Sequence, residues 1–196
     1  MNDDRPELAR QRDLDQVYEP AEDSHLLAET AREYVTADDR VLEVGTGSGY
    51  VATALADTGA AVVATDINPM ACREARDAGL AVVRANLVEP FRDGVFDVVA
   101  FNPPYLPTPP EQEFDDWMER ALSGGEDGRA VVDPFLDTVR RVLAEDGVVL
   151  LLVSSLTDVE AVRERAAAGG LDAREVADES HPFERLVVLE LRPDRR

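Results

Sequence analysis

Residues 38–49 read DDRVLEVGTGSG. Val41 to Val44 make a short apolar run, and a glycine turn follows it with the spacing Gly45-x-Gly47-x-Gly49. The next residues, YVATALADTG, carry a helical pattern that Gly59 closes. A strand that ends in glycines and opens a helix lets the backbone turn sharply. It also brings the unpaired N–H groups of a helix N-terminus close to a ligand. The spacing is not the G-x-G-x-x-G of dinucleotide sites. Taken alone, the stretch allows a plain strand–helix turn, a dinucleotide fold or another nucleoside site.

The pattern outward from this turn repeats. AAVVATD (60–66) reads as a second strand and NPMACREARDAG (68–79) as a second helix ended by Gly79. LAVVRANL (80–87) is a third strand and FDVVAFN (96–102) a fourth. GRAVVDPFLDTVRRVLAEDG (128–147) reads as one long amphipathic helix. VVLLLVSS (148–155) is continuously apolar, as expected of a strand buried on both faces. DVEAVRERAAAGG (158–170) is a helix, and strand-like pieces follow at 173–178 and 185–191. Before the glycine turn, YEPAEDSHLLAETAREYV (18–35) reads as a helix with Leu26, Leu27 and Tyr34 on its apolar face; Pro20, Glu22 and Asp23 suit its N-terminus. Strands alternating with helices predict a parallel sheet covered on both faces. The last two strands lack a helix between them, which predicts an antiparallel pair at one edge. One domain over 18–196 is expected, with 1–17 as a flexible acidic arm.

Composition narrows the function classes. The chain has 41 acidic residues against 20 basic ones, a net charge of −21, and all the basic residues are arginine. Such a surface repels nucleic acid unless salt screens it. Acids spread along a chain without lysine suggest a salt-rich cytoplasm, with a basic partner as the alternative. The start is polar and acidic, unlike a signal peptide, and no apolar run reaches a membrane-span length. The single cysteine, Cys72, lies in a helical pattern and reads as a small buried side chain. With only His25 and His181 besides, no metal site is expected.

Residues 101–110 read FNPPYLPTPP, directly after the fourth strand. Proline fixes φ and lacks an N–H, so Pro103 and Pro104 hold the backbone extended. The Asn102 side-chain oxygen and the Pro103 carbonyl could then both accept from one NH2 group, with the flat Tyr105 ring beside it. That set suits a planar conjugated amine, either an amide or the exocyclic amine of a base. Such a nitrogen is a poor nucleophile, and two acceptors would favour the charge it develops on attack. The loop at 103–128 is long for a compact domain. Within it, Trp117 is expected to pack in the core rather than touch substrate.

EVGTGSG with TDIN (65–68) resembles the nucleoside-binding half of class I methyltransferases that use S-adenosylmethionine. The resemblance implies a Rossmann-like α/β fold with a seven-stranded, mostly parallel sheet in the order 3-2-1-4-5-7-6. It implies that Glu43, Gly45, Thr46, Gly47 and Gly49 run beside the methionine part of the cofactor, that Asp66 and Ile67 border the ribose, and that Asn86 and Leu87 contact adenine. Relatives often carry Asp where Asn86 stands. NPPY is shared by methyltransferases of adenine N6, cytosine N4 and protein glutamine. Together with YEPAEDS (18–24) and SGGEDGR (123–129), the chain is similar to the HemK-related glutamine methyltransferases of archaeal and eukaryotic release factors, in their short form. That family methylates the glutamine of the Gly-Gly-Gln tripeptide in class I release factors.

Carried over, Asn102, Pro103, Pro104 and Tyr105 hold the glutamine amide, and Asn102 also borders the cofactor. Ser24 falls where the N-terminal segment closes on the cofactor, and residues 124–129 shape the floor near the substrate. The resemblance also implies a small zinc-binding activator subunit added to the edge strand at 81–86. An adenine N6-methyltransferase or a protein lysine methyltransferase are the alternatives. No basic cluster is visible to grip a nucleic-acid backbone, and an ammonium would have to lose a proton first.

Overall fold

The computed structural model describes residues 17–109 and 117–194. The arm expected at 1–17 therefore lies outside the described residues except for Val17. Among the described residues, six α-helices and seven strands follow in order: α1 (Glu22–Arg32), β1 (Arg40–Val44), α2 (Tyr50–Ala56), β2 (Ala61–Asp66), α3 (Pro69–Asp77), β3 (Ala81–Arg84), β4 (Phe96–Phe101), α4 (Trp117–Leu122), α5 (Val132–Val142), β5 (Leu143–Ser154), α6 (Val159–Ala168), β6 (Leu171–Ser180) and β7 (Arg185–Pro193). One sheet holds all seven strands in the expected order, β3-β2-β1-β4-β5-β7-β6. Strands β1 to β5 pair in parallel, and β7 is antiparallel to both β5 and β6. No helix among the described residues is long and apolar enough to cross a membrane.

The apolar strands are buried on both faces because alternate side chains feed two cores. Val149, Leu151 and Val153 of β5 join Leu42, Val99 and Phe101 against α5 and α6. Val148, Leu150 and Leu152 join Val41, Val98 and Ala100 against α1 and α2. Phe101 meets Phe135 of α5 with ring centroids 4.6 Å apart, which anchors the end of β4 just before the proline loop. Cys72 is buried in α3, as its pattern suggested.

Two expectations are corrected. The helix expected over 128–147 spans only Val132–Val142. The apolar periodicity Val132, Phe135, Leu136, Val139, Val142 ends there, and Leu143 turns extended (φ −69°, ψ 137°) to pair with Phe96 of β4. Residues 144–147 bulge before pairing resumes at Val148. Gly147 fits this tight passage, since a Cβ there would stand 2.9 Å from the Phe96 carbonyl. At the other end, Gly125 (φ 74°) and Gly128 (φ 75°) keep the chain out of the helix until Val132. The second correction is Trp117, which lies half-buried on a cavity wall instead of in the core.

Candidate active site

Parallel strands deliver their loops to one edge of the sheet, and there the loops after β1, β2, β3 and β4 surround a cavity of about 660 Å³. The volume lies in the range of small-molecule sites. The glycine turn forms one wall. Gly45, Gly47 and Gly49 all take left-handed φ, at 66°, 53° and 88°. A Cβ on Gly45 would stand 3.1 Å from the Phe101 ring, so the turn and the proline loop meet through a bare backbone. Gly45, Thr46 and Gly47 line the cavity; Gly49 does not. Gly49 instead starts α2, and a Cβ there would meet Leu80 at 2.9 Å and Ala75 at 3.2 Å, so its lack of a side chain serves helix packing.

Two acids brace the turn, Glu43 buried and Asp66 partly buried. Glu43, 3 % exposed, accepts from Thr46 Oγ1 and, at 3.1 Å, from the Ala52 N–H at the start of α2. Burial pushes its carboxyl up to about 8, against those two bonds. Asp66 ends β2 and accepts from the Gly47 N–H at 3.0 Å through Oδ2 and from the Asn68 N–H at 2.8 Å through Oδ1. Burial raises its carboxyl, and the backbone donors oppose the rise. Ile67 follows, half exposed at the rim. Asn86 and Leu87 close this side after β3. The Asn86 amide donates to Glu89 at 2.7 Å, and Leu87 takes φ 49°.

The proline loop forms the opposite wall, and Asn102, Pro103, Pro104 and Tyr105 all border the cavity. The Asn102 Oδ1 atom is buried without a hydrogen-bond partner among the described residues. A buried carbonyl oxygen left unpaired costs stability, and the residue that carries it borders the cavity.

Sequence reasoning missed the centre that holds this loop. Asp23 of α1 is buried, and Tyr18 Oη donates to it at 3.0 Å and Tyr105 Oη at 3.4 Å. The Ser24 N–H donates to the same carboxylate at 2.6 Å and Ser24 Oγ at 3.2 Å. Burial pushes both phenols well above the usual range, and the Asp23 charge adds to it. In the sequence Asp23 reads only as an acid suited to a helix N-terminus. The available signal was its place in YEPAEDS, between a tyrosine and a serine. Through this centre the segment at 18–24 lies across the glycine turn; a Cβ on Gly47 would stand 3.5 Å from the Tyr18 carbonyl.

The floor comes from residues 123–130. A Cβ on Gly128 would meet the Tyr105 carbonyl and Thr157 Cγ2, each at 2.6 Å, so only glycine lets this loop support Tyr105. Trp117 and Arg120 of α4 complete the mouth, with the guanidinium 5.1 Å from the Trp117 ring centroid.

Comparison with known proteins agrees with this geometry. A family model described as a methyltransferase domain matches residues 42–103, from β1 through the first proline of the loop. A Methanocaldococcus jannaschii protein, MJ0928, provisionally named a protein N5-glutamine methyltransferase, is 37 % identical over 89 % of this chain and 90 % of its own. Human methyltransferase HEMK2 is 33 % identical over 88 % of each chain. Among solved structures, the E. cuniculi Mtq2–Trm112 complex, described as methylating the termination factor eRF1, matches with a TM-score of 0.75 and 31 % identity; 91 % of this chain and 99 % of the matched one are covered. With that extent of shared sequence and fold, the chain belongs to the HemK2/Mtq2 family of protein N5-glutamine methyltransferases.

Proposed function

We propose that this chain methylates N5 of the glutamine in the Gly-Gly-Gln tripeptide of the archaeal class I release factor, with S-adenosylmethionine as donor. The observation that carries the reading is that Asn102, Pro103, Pro104 and Tyr105 line the same cavity as the glycine turn, with Asn102 Oδ1 left without a partner among the described residues. A glutamine NH2 group supplies the donor this atom lacks.

The residues present fit the cofactor. The glycine turn offers close backbone approach for the methionine part, and Glu43, which lines the cavity, would give up its proton and carry negative charge when a cation binds above it. Asp66, already tied to the turn, keeps lone pairs for ribose hydroxyls. Asn86 and Leu87 face the adenine end. When bound, S-adenosylmethionine supplies an electrophilic methyl group.

The chain itself does the rest. Asn102 Oδ1 and the Pro103 carbonyl accept the two amide hydrogens and orient the nitrogen towards the donor. Tyr105 covers the planar amide with its ring. Positive charge develops on the nitrogen during transfer, and the two oxygens stabilise it in a water-poor site. One proton leaves to solvent, giving N5-methylglutamine.

The edge strand β3 pairs only with β2 among the described residues, and its Val83 is exposed. It is the place where a small zinc-binding activator subunit would add a strand, in line with the Mtq2–Trm112 assembly. The acidic, lysine-free surface fits a salt-rich cytoplasm.

Two variants separate the roles. Asn102→Ala abolishes methyl transfer and leaves cofactor affinity within about threefold, whereas Asp66→Ala weakens cofactor binding itself, by about tenfold or more. Activity retained in Asn102→Ala would overturn the assignment.

A further inference from the structure

Six large hydrophobic side chains are exposed among the described residues: Tyr50, Ile67, Val83, Leu106, Leu156 and Phe183. All but Val83 stand at the edge of the sheet that carries the cavity. Tyr50 and Ile67 follow β1 and β2, on the cofactor side. Leu106 follows β4, and Leu156 lies in the 3-10 turn Ser155–Thr157 after β5. Phe183 tips the β6–β7 hairpin, whose β7 begins opposite the end of β5, where Ser154 pairs with Leu186. Single exposed hydrophobics are ordinary on a protein surface. Tyr50, Ile67 and Leu106 line the cavity itself, and Leu156 and Phe183 stand outside it on the same edge of the sheet; hydrophobics grouped on one edge mark an interaction surface.

Phe183 is the extreme case. It is 94 % exposed, while Phe91, Phe96, Phe101 and Phe135 all pack in or against the core. It gives the fold nothing, yet its loop is held firmly. The His181 N–H donates to the Glu184 carbonyl at 2.8 Å and closes the turn. Ser154 Oγ donates to Glu184 at 2.6 Å, and the Arg185 N–H donates to Ser155 Oγ at 2.9 Å. These bonds fasten the hairpin tip to the end of β5. The adjoining 3-10 turn reaches the proline loop through Thr157, Gly128 and Tyr105. Phe183 and Leu156 are thus fixed on the frame that carries the amide site.

We propose that Leu106, Leu156 and Phe183 form a docking rim for the body of the protein substrate, beyond the glutamine that enters the cavity. The inference rests on the reading that the acceptor is a protein side chain. The occupant is the protein bearing that glutamine, because Leu106 lines the cavity and the turn and hairpin carrying Leu156 and Phe183 are tied to Tyr105 beside it through Thr157 and Gly128. The β3 edge lies at the opposite end of the sheet from the β6–β7 hairpin, so a subunit added there leaves the rim free. Charge defines the matching surface. Glu179 and Glu184 flank the hairpin tip, so the partner's surface is an apolar spot edged by arginine or lysine.

The test compares full-length release factor with a short Gly-Gly-Gln peptide as substrates, for the full chain with its activator subunit. Phe183→Ala and Leu156→Ala each raise KM for the release factor by about fivefold or more. Neither changes kcat, peptide methylation or cofactor affinity. Both side chains are exposed, so both variants fold. Unchanged KM for the release factor in both variants overturns the rim. A parallel loss on the peptide, together with weaker capture of the activator subunit, also overturns it and assigns the hairpin to that subunit. Failure of the unaltered protein to methylate either substrate overturns the underlying reading, a result distinct from the other two.

Discussion

Tyr105 donates its phenolic hydrogen to the carboxylate of Asp23 at 3.4 Å, across 82 positions of sequence. Tyr18 donates to the same carboxylate. One buried acid therefore joins the segment that crosses the glycine turn to the proline loop. Replacing it leaves two partly buried hydroxyls without their acceptor, at a cost of about 1 kcal/mol each. Asp23→Ala should lower both thermal stability and kcat. Tyr105→Phe keeps the ring and should lower kcat by less, about tenfold or below. Because the two groups act as one unit, the double variant should lose less than the product of the single losses. Steady-state kinetics on the four proteins check this, with stability measured alongside.

Glu43 gives a prediction about pH. Its carboxyl is raised from 4.5 to about 8 by burial. Between those values the folded chain holds a proton that the unfolded chain has released. Its contribution to stability is therefore complete below about 4.5 and is lost as pH rises through about 8. Glu43→Gln keeps the shape and removes the titration. Relative to that variant, the native chain should lose stability steadily across this window, as read by thermal unfolding at a series of pH values. Parallel curves would contradict the burial argument. A cationic cofactor above Glu43 should also expel its proton, so calorimetry in buffers of different ionisation enthalpy should show proton release on binding near neutral pH.

The surface charge sets the response to salt. Arg40, Arg141, Arg165 and Arg185 already pair with Asp97, Asp93, Asp137, and Glu175 with Asp178, yet the excess of acid remains at a net −21. Self-repulsion on that scale weakens the compact state, and salt screens it. Raising KCl from about 0.1 M to about 2 M should raise the melting temperature, whereas sucrose of equal osmolality should do less.

Much of the fold was legible in the sequence because parallel strands buried on both faces leave continuous apolar runs, and β4 and β5 do so. Helix ends at glycine were equally plain; Gly59 and Gly79 both take left-handed φ where the pattern stops. The long helix was overextended because Leu143 continues the apolar spacing of Val139 and Val142, while its actual partner is Phe96 in another strand. Trp117 was misplaced for a similar reason, since a lone tryptophan does not reveal whether a core or a cavity wall receives it. Within the site, the glycine turn, Asp66 and Asn102 carried local signals. The Asp23 centre did not, because its meaning lies in hydroxyls brought from distant loops. The orphaned Asn102 oxygen likewise exists only once burial has removed water from it.

The most direct measurement is mass spectrometry of purified archaeal release factor after incubation with this chain, the activator subunit proposed for it and isotope-labelled S-adenosylmethionine in high salt. The proposed function predicts a single gain, the mass of one labelled methyl in place of hydrogen, on the Gly-Gly-Gln glutamine, absent with Asn102→Ala. Label entering nucleic acid or lysine, with that glutamine unmodified, would contradict it.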